Sequence, residues 1–228
     1  MTINVGDKIP SATLKQLTPE GVKEFTTDEI FRGKKVVLFA VPGAFTPACS
    51  QRHLPGYVDK AADIKAKGVD EIACVAVNDA FVMGAWGKEQ RTEGKVRMLA
   101  DGSGDFARAL GLELDLTKGG LGVRSKRYAM LVDNGVVKSL SVEAQPGQVD
   151  ASSADAMLKA LSTGPYRYLP CLRRRCGRGK DDLILPACFG DTSARQRIGS
   201  FVFGMTGMTA YPNPGDVVRS RGGVEPLP

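Results

Sequence analysis

Short apolar runs alternate with amphipathic stretches along the first two thirds of the chain. The runs 35–41 and 72–77 are almost wholly apolar and rich in valine, which predicts buried parallel strands. Between them, Thr46-Pro47 supplies an N-cap and a proline at the first helical position, and the amphipathic pattern continues to about Lys67. Pro55-Gly56 should interrupt this helix. Together the three elements predict a βαβ unit, which is right-handed in nearly all proteins.

The pattern after this unit predicts more strands and helices of the same sheet. Strands at 128–132 and 136–141 flank Asp133-Asn134-Gly135, a strong signal for an antiparallel hairpin. The other predicted elements are a strand at 96–100 and helices at about 79–91, 104–110 and 152–161, the last capped by the segment that starts at Ser152. The predicted fold is therefore α/β, a central mixed β-sheet flanked by helices, and it is complete at about residue 162.

Charge divides the chain at the same place. The 228 residues are 43% hydrophobic and carry a net charge of +6, which excludes global disorder and allows one sizeable core. Residues 1–162 hold 21 of the 31 Lys and Arg and 20 of the 25 Asp and Glu. Residues 163–228 therefore hold 10 basic residues against 5 acidic ones. We therefore predict a near-neutral domain over 1–162 and a basic extension rich in arginine, proline and glycine over 163–228.

We expect this extension to be poorly ordered, because it has too few clustered apolar residues to offset the entropy lost on ordering. Most basic residues are lysines before residue 163 and arginines after it. Such a change is also what a GC-rich gene yields when it is read in a shifted frame or past its normal stop. The arginines at 173–175 could bind a polyanion, so nucleic-acid binding is an alternative, although the less favoured one. The cysteines of the extension, Cys171, Cys176 and Cys188, lack the spacing of a zinc site.

Cysteine usage and hydropathy bear on location. No apolar run approaches the roughly 18 residues needed to cross a bilayer, and the first residues lack the pattern of a secretory signal. The five cysteines are an odd number, which argues against a framework of structural disulfides. We therefore expect reduced thiols in a cytoplasmic protein that does not enter a membrane.

One cysteine stands in a position that favours reactivity. Cys49 falls in the first turn of the predicted helix, just beyond the carboxyl end of a parallel strand, where α/β sheets commonly bind ligands. Backbone N–H groups and the helix dipole favour a thiolate there. The Thr46 hydroxyl, one turn earlier, can donate a hydrogen bond to that sulfur or to an approaching oxygen. From these residues alone, a small buried cysteine that happens to fall in a first turn is an equally good interpretation.

The spacing Pro42-x-x-x-Thr46-x-x-Cys49 matches the active-site motif of the peroxiredoxins, and the surrounding sequence resembles their type II, atypical two-cysteine (Prx5-like) subfamily. The resemblance continues through residues 52–56, 68–72, 83–87 and 120–128 and ends near Leu161. It implies a thioredoxin-like fold with a C-terminal extension foreign to the family. It also implies reduction of hydrogen peroxide and alkyl hydroperoxides, in which Cys49 attacks the peroxide and becomes a sulfenic acid.

The resemblance also assigns the other site residues. Thr46 corresponds to the hydroxyl that positions the peroxide, and Pro42 to the proline that shields the thiolate. Arg127 corresponds to the active-site arginine of the family. Its rigid, positively charged guanidinium favours the thiolate and holds the peroxide oxygens. Arg124 is near in sequence but matches less well. Taken without Cys49, Arg127 would be interpreted as a surface arginine at the start of a strand.

How the sulfenic acid is reduced is left open. Cys74 resembles the second cysteine of the plant-type members, but its strand position puts it on the order of 10 Å below the level of Cys49. A disulfide needs Cα atoms about 5.5 Å apart, so pairing would require local unfolding, and Cys74 is equally well interpreted as a core residue. Residues 145–153, the expected place of the mammalian-type resolving cysteine, contain none. Glutaredoxin with glutathione, or thioredoxin, would then be the reductant.

The remaining expectations concern partners and alternatives. His53, the only histidine, is four residues past Cys49 and either tunes the site or packs in the core. Residues 1–162 offer two cysteines and one histidine without ligand spacing, so we expect neither a metal nor a cofactor. The resemblance implies a homodimer. A peroxide-sensing or chaperone-like redox protein on the same fold is the alternative function.

Overall fold

The computed structural model of the protein describes residues 1–163. Its strands are β1 (Thr13–Thr18), β2 (Gly21–Thr26), β3 (Lys35–Ala40), β4 (Glu71–Ala76), β5 (Arg97–Ala100), β6 (Glu113–Leu116), β7 (Gly122–Ser125), β8 (Tyr128–Asp133) and β9 (Val136–Val142). Its α-helices are α1 (Thr27–Phe31), α2 (Leu54–Asp59), α3 (Ala61–Ala66), α4 (Ala80–Glu89), α5 (Asp105–Leu110) and α6 (Ala154–Thr163). A π-helical turn, Cys49–His53, precedes α2, and a 3₁₀ turn, Thr117–Gly119, joins β6 to β7.

Seven of the strands form one mixed sheet in the order β2-β1-β5-β4-β3-β8-β9, and β6 and β7 form a separate hairpin. Strands β3, β4 and β5 run parallel, whereas β8 lies antiparallel to β3 and β9 antiparallel to β8. The predicted βαβ unit is confirmed by the parallel pairing of β3 with β4. This is the arrangement expected of a thioredoxin-like fold.

Both faces of the sheet are covered, which explains why its central strands are apolar at every position except a charged residue at one end of each. In β3, Val37 and Phe39 belong to the core on one face, and Val36 and Leu38 belong to the core on the other. All four are fully buried. Burying such side chains stabilises the fold by about 1.5–3 kcal/mol each. The core that contains Phe39 also contains Cys49 and residues of α2, α3, α4 and α6.

The helix predicted over 46–67 is divided into shorter pieces. The Leu54 N–H donates to the carbonyl of Cys49, five residues back, which is π-helical geometry. Pro55 has no N–H for the carbonyl of Gln51, so an α-helical ladder cannot run unbroken through this point. The interruption predicted at Pro55-Gly56 is therefore present, but the wider turn lies just before it and a second break separates α2 from α3 at Lys60.

Local signals predicted the β8–β9 turn and a cap for α6, whereas Thr46, predicted as an N-cap, uses its hydroxyl on the Gly43 carbonyl and the Cys49 sulfur instead. Asn134 and Gly135 have φ values of 47° and 77°, as a type I′ hairpin turn between β8 and β9 requires. Asp79 caps α4 by accepting from the Val82 N–H. At α6 the cap is Ser153, whose Oγ accepts from the Ala156 N–H. Ser152 instead turns its hydroxyl to a carboxylate oxygen of Glu143, 2.8 Å away.

Several predictions fall on the remainder of the chain. The order of the extension, the roles of Cys171, Cys176 and Cys188, and polyanion binding by the arginines at 173–175 all lie outside the described residues. No helix within residues 1–163 is long and apolar enough to cross a membrane.

Candidate active site

Cys49 lies where the polypeptide leaves the sheet and enters the helical layer. Strand β3 ends at Ala40, and the turn that follows leads into the π-helical turn that Cys49 opens. The Cys49 side chain is fully buried, and the cysteine carries no disulfide. A buried thiolate would be strongly disfavoured by the loss of water unless protein groups replaced the solvent hydrogen bonds.

Two protein donors replace the lost solvent hydrogen bonds to the Cys49 sulfur. Thr46 Oγ1 lies 2.8 Å from Cys49 Sγ, and an Nη2 proton of Arg127 is donated to the same sulfur over 3.2 Å. The Thr46 hydroxyl also lies 2.9 Å from the carbonyl of Gly43. Because a hydroxyl has one proton, it can donate to Gly43 while the sulfur is a thiol and to the sulfur when it is a thiolate. Thr46, which is only partly buried, can therefore respond to the charge on Cys49.

Arg127 is held in the core by neutral acceptors. Its Nε and Nη2 donate to the carbonyl of Pro146 over 3.0 and 2.8 Å, and its Nη1 lies 3.0 Å from Nδ1 of His53. The residue is 2% exposed, and no carboxylate of residues 1–163 forms an ion pair with it. Its positive charge is therefore left for an anion at Cys49, as the thiolate or as the oxygens of a bound peroxide.

Pro42 lies in the turn between β3 and Cys49 and is buried. The motif placed Pro42, Thr46 and Cys49 in one site, and the family resemblance added Arg127. The structure brings both Thr46 and Arg127 into contact with Cys49 and places Pro42 in the turn that leads to them.

Comparison with known proteins agrees with this geometry. The family model described as Redoxin matches residues 4–158. Peroxiredoxin-2E, chloroplastic, of Arabidopsis thaliana is 54% identical over 164 residues, which cover 70% of each chain. This protein belongs to the peroxiredoxins.

Two further comparisons support the assignment. Peroxiredoxin-2E-2, chloroplastic, of Oryza sativa is 57% identical over 166 residues, covering 70% of this peroxiredoxin and 73% of the rice protein. The crystal structure of reduced Prx3 from Vibrio vulnificus in complex with H2O2 is 57% identical with a TM-score of 0.68, and covers 70% of this chain and 99% of that one. The thioredoxin-like fold and the type II subfamily are thereby confirmed, and the protein is a thiol peroxidase.

The expected cytoplasmic location is wrong by the same comparison. Both of these plant relatives are named as chloroplastic.

Cys74 belongs to the same hydrophobic core as Cys49, and its predicted place on a buried strand is confirmed. It lies in β4 opposite Phe39 of β3 and is fully buried. Burial raises the pKa of the Cys74 thiol well above its usual value, and the nearby Cys49 adds to this effect. Cys74 is therefore a protonated thiol in the folded peroxiredoxin, which makes it a poor nucleophile there.

The turn before Cys49 is supported by Asn78, for which the sequence predicted no role, and by Arg124, which it offered only as a poorer match to the family's arginine. Asn78 Oδ1 accepts from the Ala44 N–H over 3.0 Å. Arg124, on β7, donates from Nη1 to the carbonyl of Val77. A Cβ on Gly43 would approach that Nη1 and the Thr46 methyl to 3.3 Å, so glycine allows the close packing of the turn. Asn78 lies two residues past the end of β4, and the carboxyl end of a parallel strand was the signal that could have found it.

A second set of residues secures the segment after β9. Glu143 Oε1 accepts from the Asp150 N–H and from the N–H and hydroxyl of Ser152. Partial burial acts to raise the pKa of Glu143, but these hydrogen bonds outweigh it and lower that pKa. The segment in turn supplies Pro146 to Arg127. The Pro146 contact joins residues 19 positions apart, and nothing in the sequence pattern points to it or to the contacts of Glu143.

Proposed function

We propose that this peroxiredoxin reduces hydrogen peroxide and small alkyl hydroperoxides through Cys49. The thiolate attacks one peroxide oxygen, the O–O bond breaks, and the sulfur becomes a sulfenic acid as the second oxygen departs as hydroxide or alkoxide. The departing oxygen takes up a proton to give water or an alcohol. The observation that carries the proposal is the convergence of the Thr46 hydroxyl and the Arg127 guanidinium on a buried Cys49 sulfur.

Each group has a distinct task in this proposal. Arg127 offers fixed positive charge to the thiolate and then to the oxygen on which negative charge develops, which is where a preorganised donor accelerates a reaction most. Thr46 directs its hydroxyl to the incoming oxygen. Pro42 limits access of water to the sulfur. That the related Prx3 of Vibrio vulnificus was solved with H2O2 supports hydrogen peroxide as one substrate.

Turnover tests the proposal directly. The full chain should consume hydrogen peroxide steadily when glutathione and glutaredoxin, or thioredoxin with its reductase, are supplied. Trp86, the only tryptophan, donates from Nε1 to Ser50 Oγ beside Cys49, so its fluorescence should change on oxidation and recover on reduction. A single fluorescence change that neither reductant reverses would instead favour a peroxide sensor.

Replacing Thr46 with valine should lower kcat/KM for hydrogen peroxide by about 10²-fold, because a methyl group takes the place of the donor at nearly the same volume. Thr46→Ser keeps the hydroxyl and should retain most of the activity. Rapid-mixing kinetics on both variants checks this. Full activity in Thr46→Val would refute the role of the hydroxyl, and equal losses in the two variants would show that the hydroxyl alone does not account for the contribution of Thr46.

We propose that an external thiol, and not Cys74, reduces the sulfenic acid of the folded protein. Cys74→Ala should then keep steady-state activity with the effective reductant within about threefold of wild type, since a core substitution of this size changes mainly stability. Coupled assays with each reductant, and mass spectrometry for an intramolecular disulfide, check the prediction. A Cys49–Cys74 disulfide on the turnover time scale would contradict it.

We also propose a homodimer, as the family resemblance implies. Sedimentation velocity on the full chain tests this, and a monomer at micromolar concentration would contradict it.

A further inference from the structure

His53 is a buried polar residue to which the mechanism above gives no task. Its side chain is 1% exposed and lies between Arg127 and the carbonyl of Ser152. It belongs to the same π-helical turn as Cys49, so one local element carries both residues to the guanidinium. Buried polar groups of this kind persist where their hydrogen bonds are satisfied and specific.

Its hydrogen bonds fix its protonation state. A guanidinium has only donors, so Nδ1 of His53 must accept from Nη1 of Arg127 over the 3.0 Å between them. The ring proton therefore lies on Nε2, which donates to the Ser152 carbonyl over 2.9 Å. Only the neutral Nε2–H ring satisfies both contacts. Burial lowers the pKa of His53 to about 4, against the raising effect of the Ser152 carbonyl, and Arg127 lowers it further.

Aromatic neighbours hold the ring in this orientation. Phe39 lies edge-on to it with 5.1 Å between ring centroids, and Tyr57 does the same at 5.6 Å. The Tyr57 hydroxyl donates to the same Ser152 carbonyl that accepts from His53. Ser152 is in turn fixed by Glu143. The acceptor that His53 presents to Arg127 is thus rigidly placed.

The plane of the Arg127 guanidinium is defined only when two separate acceptors hold it. Pro146 accepts from Nε and Nη2 with a single oxygen, and a guanidinium held at one oxygen can still rotate about that oxygen. His53 supplies the second acceptor, at Nη1 of the guanidinium. With both acceptors in place, the remaining Nη2 proton is directed at Cys49 Sγ.

We propose that His53 is a positioning residue for Arg127: by accepting from Nη1 it fixes the guanidinium so that Nη2 donates to the Cys49 sulfur. The proposal rests on the function proposed above and adds the group that sets the geometry of its arginine. His53 itself touches neither the sulfur nor the peroxide. The charged and titratable groups that electrostatically influence it are Arg127 and Glu143.

Two substitutions separate the two hydrogen bonds of the ring. The Oδ1 atom of an asparagine can take the place of Nδ1 and still accept from Arg127, whereas the Nε2 atom of a glutamine can take the place of the ring Nε2 and still donate to Ser152. His53→Asn therefore keeps the acceptor for the arginine, and His53→Gln keeps only the tether to Ser152. Tyr57→Phe is the matched control, because it removes a donor from the Ser152 carbonyl without touching Arg127.

The reactivity of Cys49 distinguishes a positioning role of His53 from a merely structural one, which would leave that reactivity unchanged. In the full chain we expect His53→Gln to lower both kcat/KM for hydrogen peroxide and the rate of Cys49 alkylation by iodoacetamide by about tenfold or more. His53→Asn and Tyr57→Phe should stay within about threefold of wild type in both assays, even where their thermal unfolding temperatures fall. The thiolate absorbance of Cys49 across pH should shift in the glutamine variant only.

Equal losses in the asparagine and glutamine variants, or an unaffected glutamine variant, would overturn the proposal. The alkylation and absorbance comparisons use no peroxide, so they test His53 even if wild-type protein proves to have no peroxidase turnover. That last result would instead refute the function proposed for Cys49.

Discussion

Replacing Cys49 with serine should reduce peroxide consumption to the background rate, a loss of about 10⁴-fold or more in kcat/KM. A serine hydroxyl is not ionised near neutral pH and is a far weaker nucleophile than a thiolate. The two donors at this position would still bind the new oxygen, because Thr46 and Arg127 lie within hydrogen-bond distance of the sulfur it replaces. The variant should therefore fold and fail only in chemistry.

Three measurements check this result. Peroxide consumption with each reductant gives the loss, thermal unfolding shows that the fold is kept, and mass spectrometry after dimedone treatment locates the sulfenic acid on the wild-type protein. Cys74→Ala is the matched control, since Cys74 is the other cysteine of residues 1–163 and is equally buried. Retained turnover in Cys49→Ser, or dimedone attached to Cys74, would refute the proposed mechanism.

Replacing Arg127 with lysine should have the second largest effect, a decrease of about 10²–10³-fold in kcat/KM. A lysine keeps the positive charge but is a point donor on a flexible stem, and it cannot reach Cys49, His53 and Pro146 together as the planar fork does. Each buried acceptor left unpaired should also lower the free energy of unfolding by about 1–3 kcal/mol. Activity and stability should therefore fall together in this variant.

Arg52→Lys is the control for the general effect of this substitution. Arg52 is exposed and donates to Gly147, in the segment that also supplies Pro146 to Arg127. It makes no contact with the sulfur, so we expect kcat/KM within about twofold of wild type and a stability change within about 0.5 kcal/mol. If Arg127→Lys behaved like this control, the fixed geometry of the guanidinium would not contribute to catalysis.

Elements with a strong local signal were predicted from the sequence. The almost wholly apolar run at 35–41 predicted the buried strand β3, since a strand covered on both faces has no polar side. Asn134-Gly135 predicted the β8–β9 turn because few other residues adopt its positive φ values. The N-terminal hairpin of β1 and β2 was not predicted, because β2 is largely exposed and its sequence lacks a clear apolar face.

The candidate site was predicted unevenly for a similar reason. Cys49, Thr46 and Pro42 lie within one short motif, so their proximity follows from local geometry. Arg127 was assigned only by resemblance, since no sequence pattern states that a residue 78 positions away donates to the sulfur. The π-helical turn was also not anticipated, because a proline predicts an interrupted helix without specifying the form of the interruption.

By itself, the sequence determined where the strands alternate with helices, which cysteine stands at the carboxyl end of a buried strand, and which hydroxyl lies one turn from it. Only the tertiary structure decided what surrounds that cysteine. Pairing of β8 with β3 carries Arg127 to the sulfur, and the segment after β9 contacts Arg127 through Pro146 and His53 through Ser152. The physical reason is that local patterns record burial and backbone conformation, whereas the state of His53 and Arg127 depends on partners that only folding brings together.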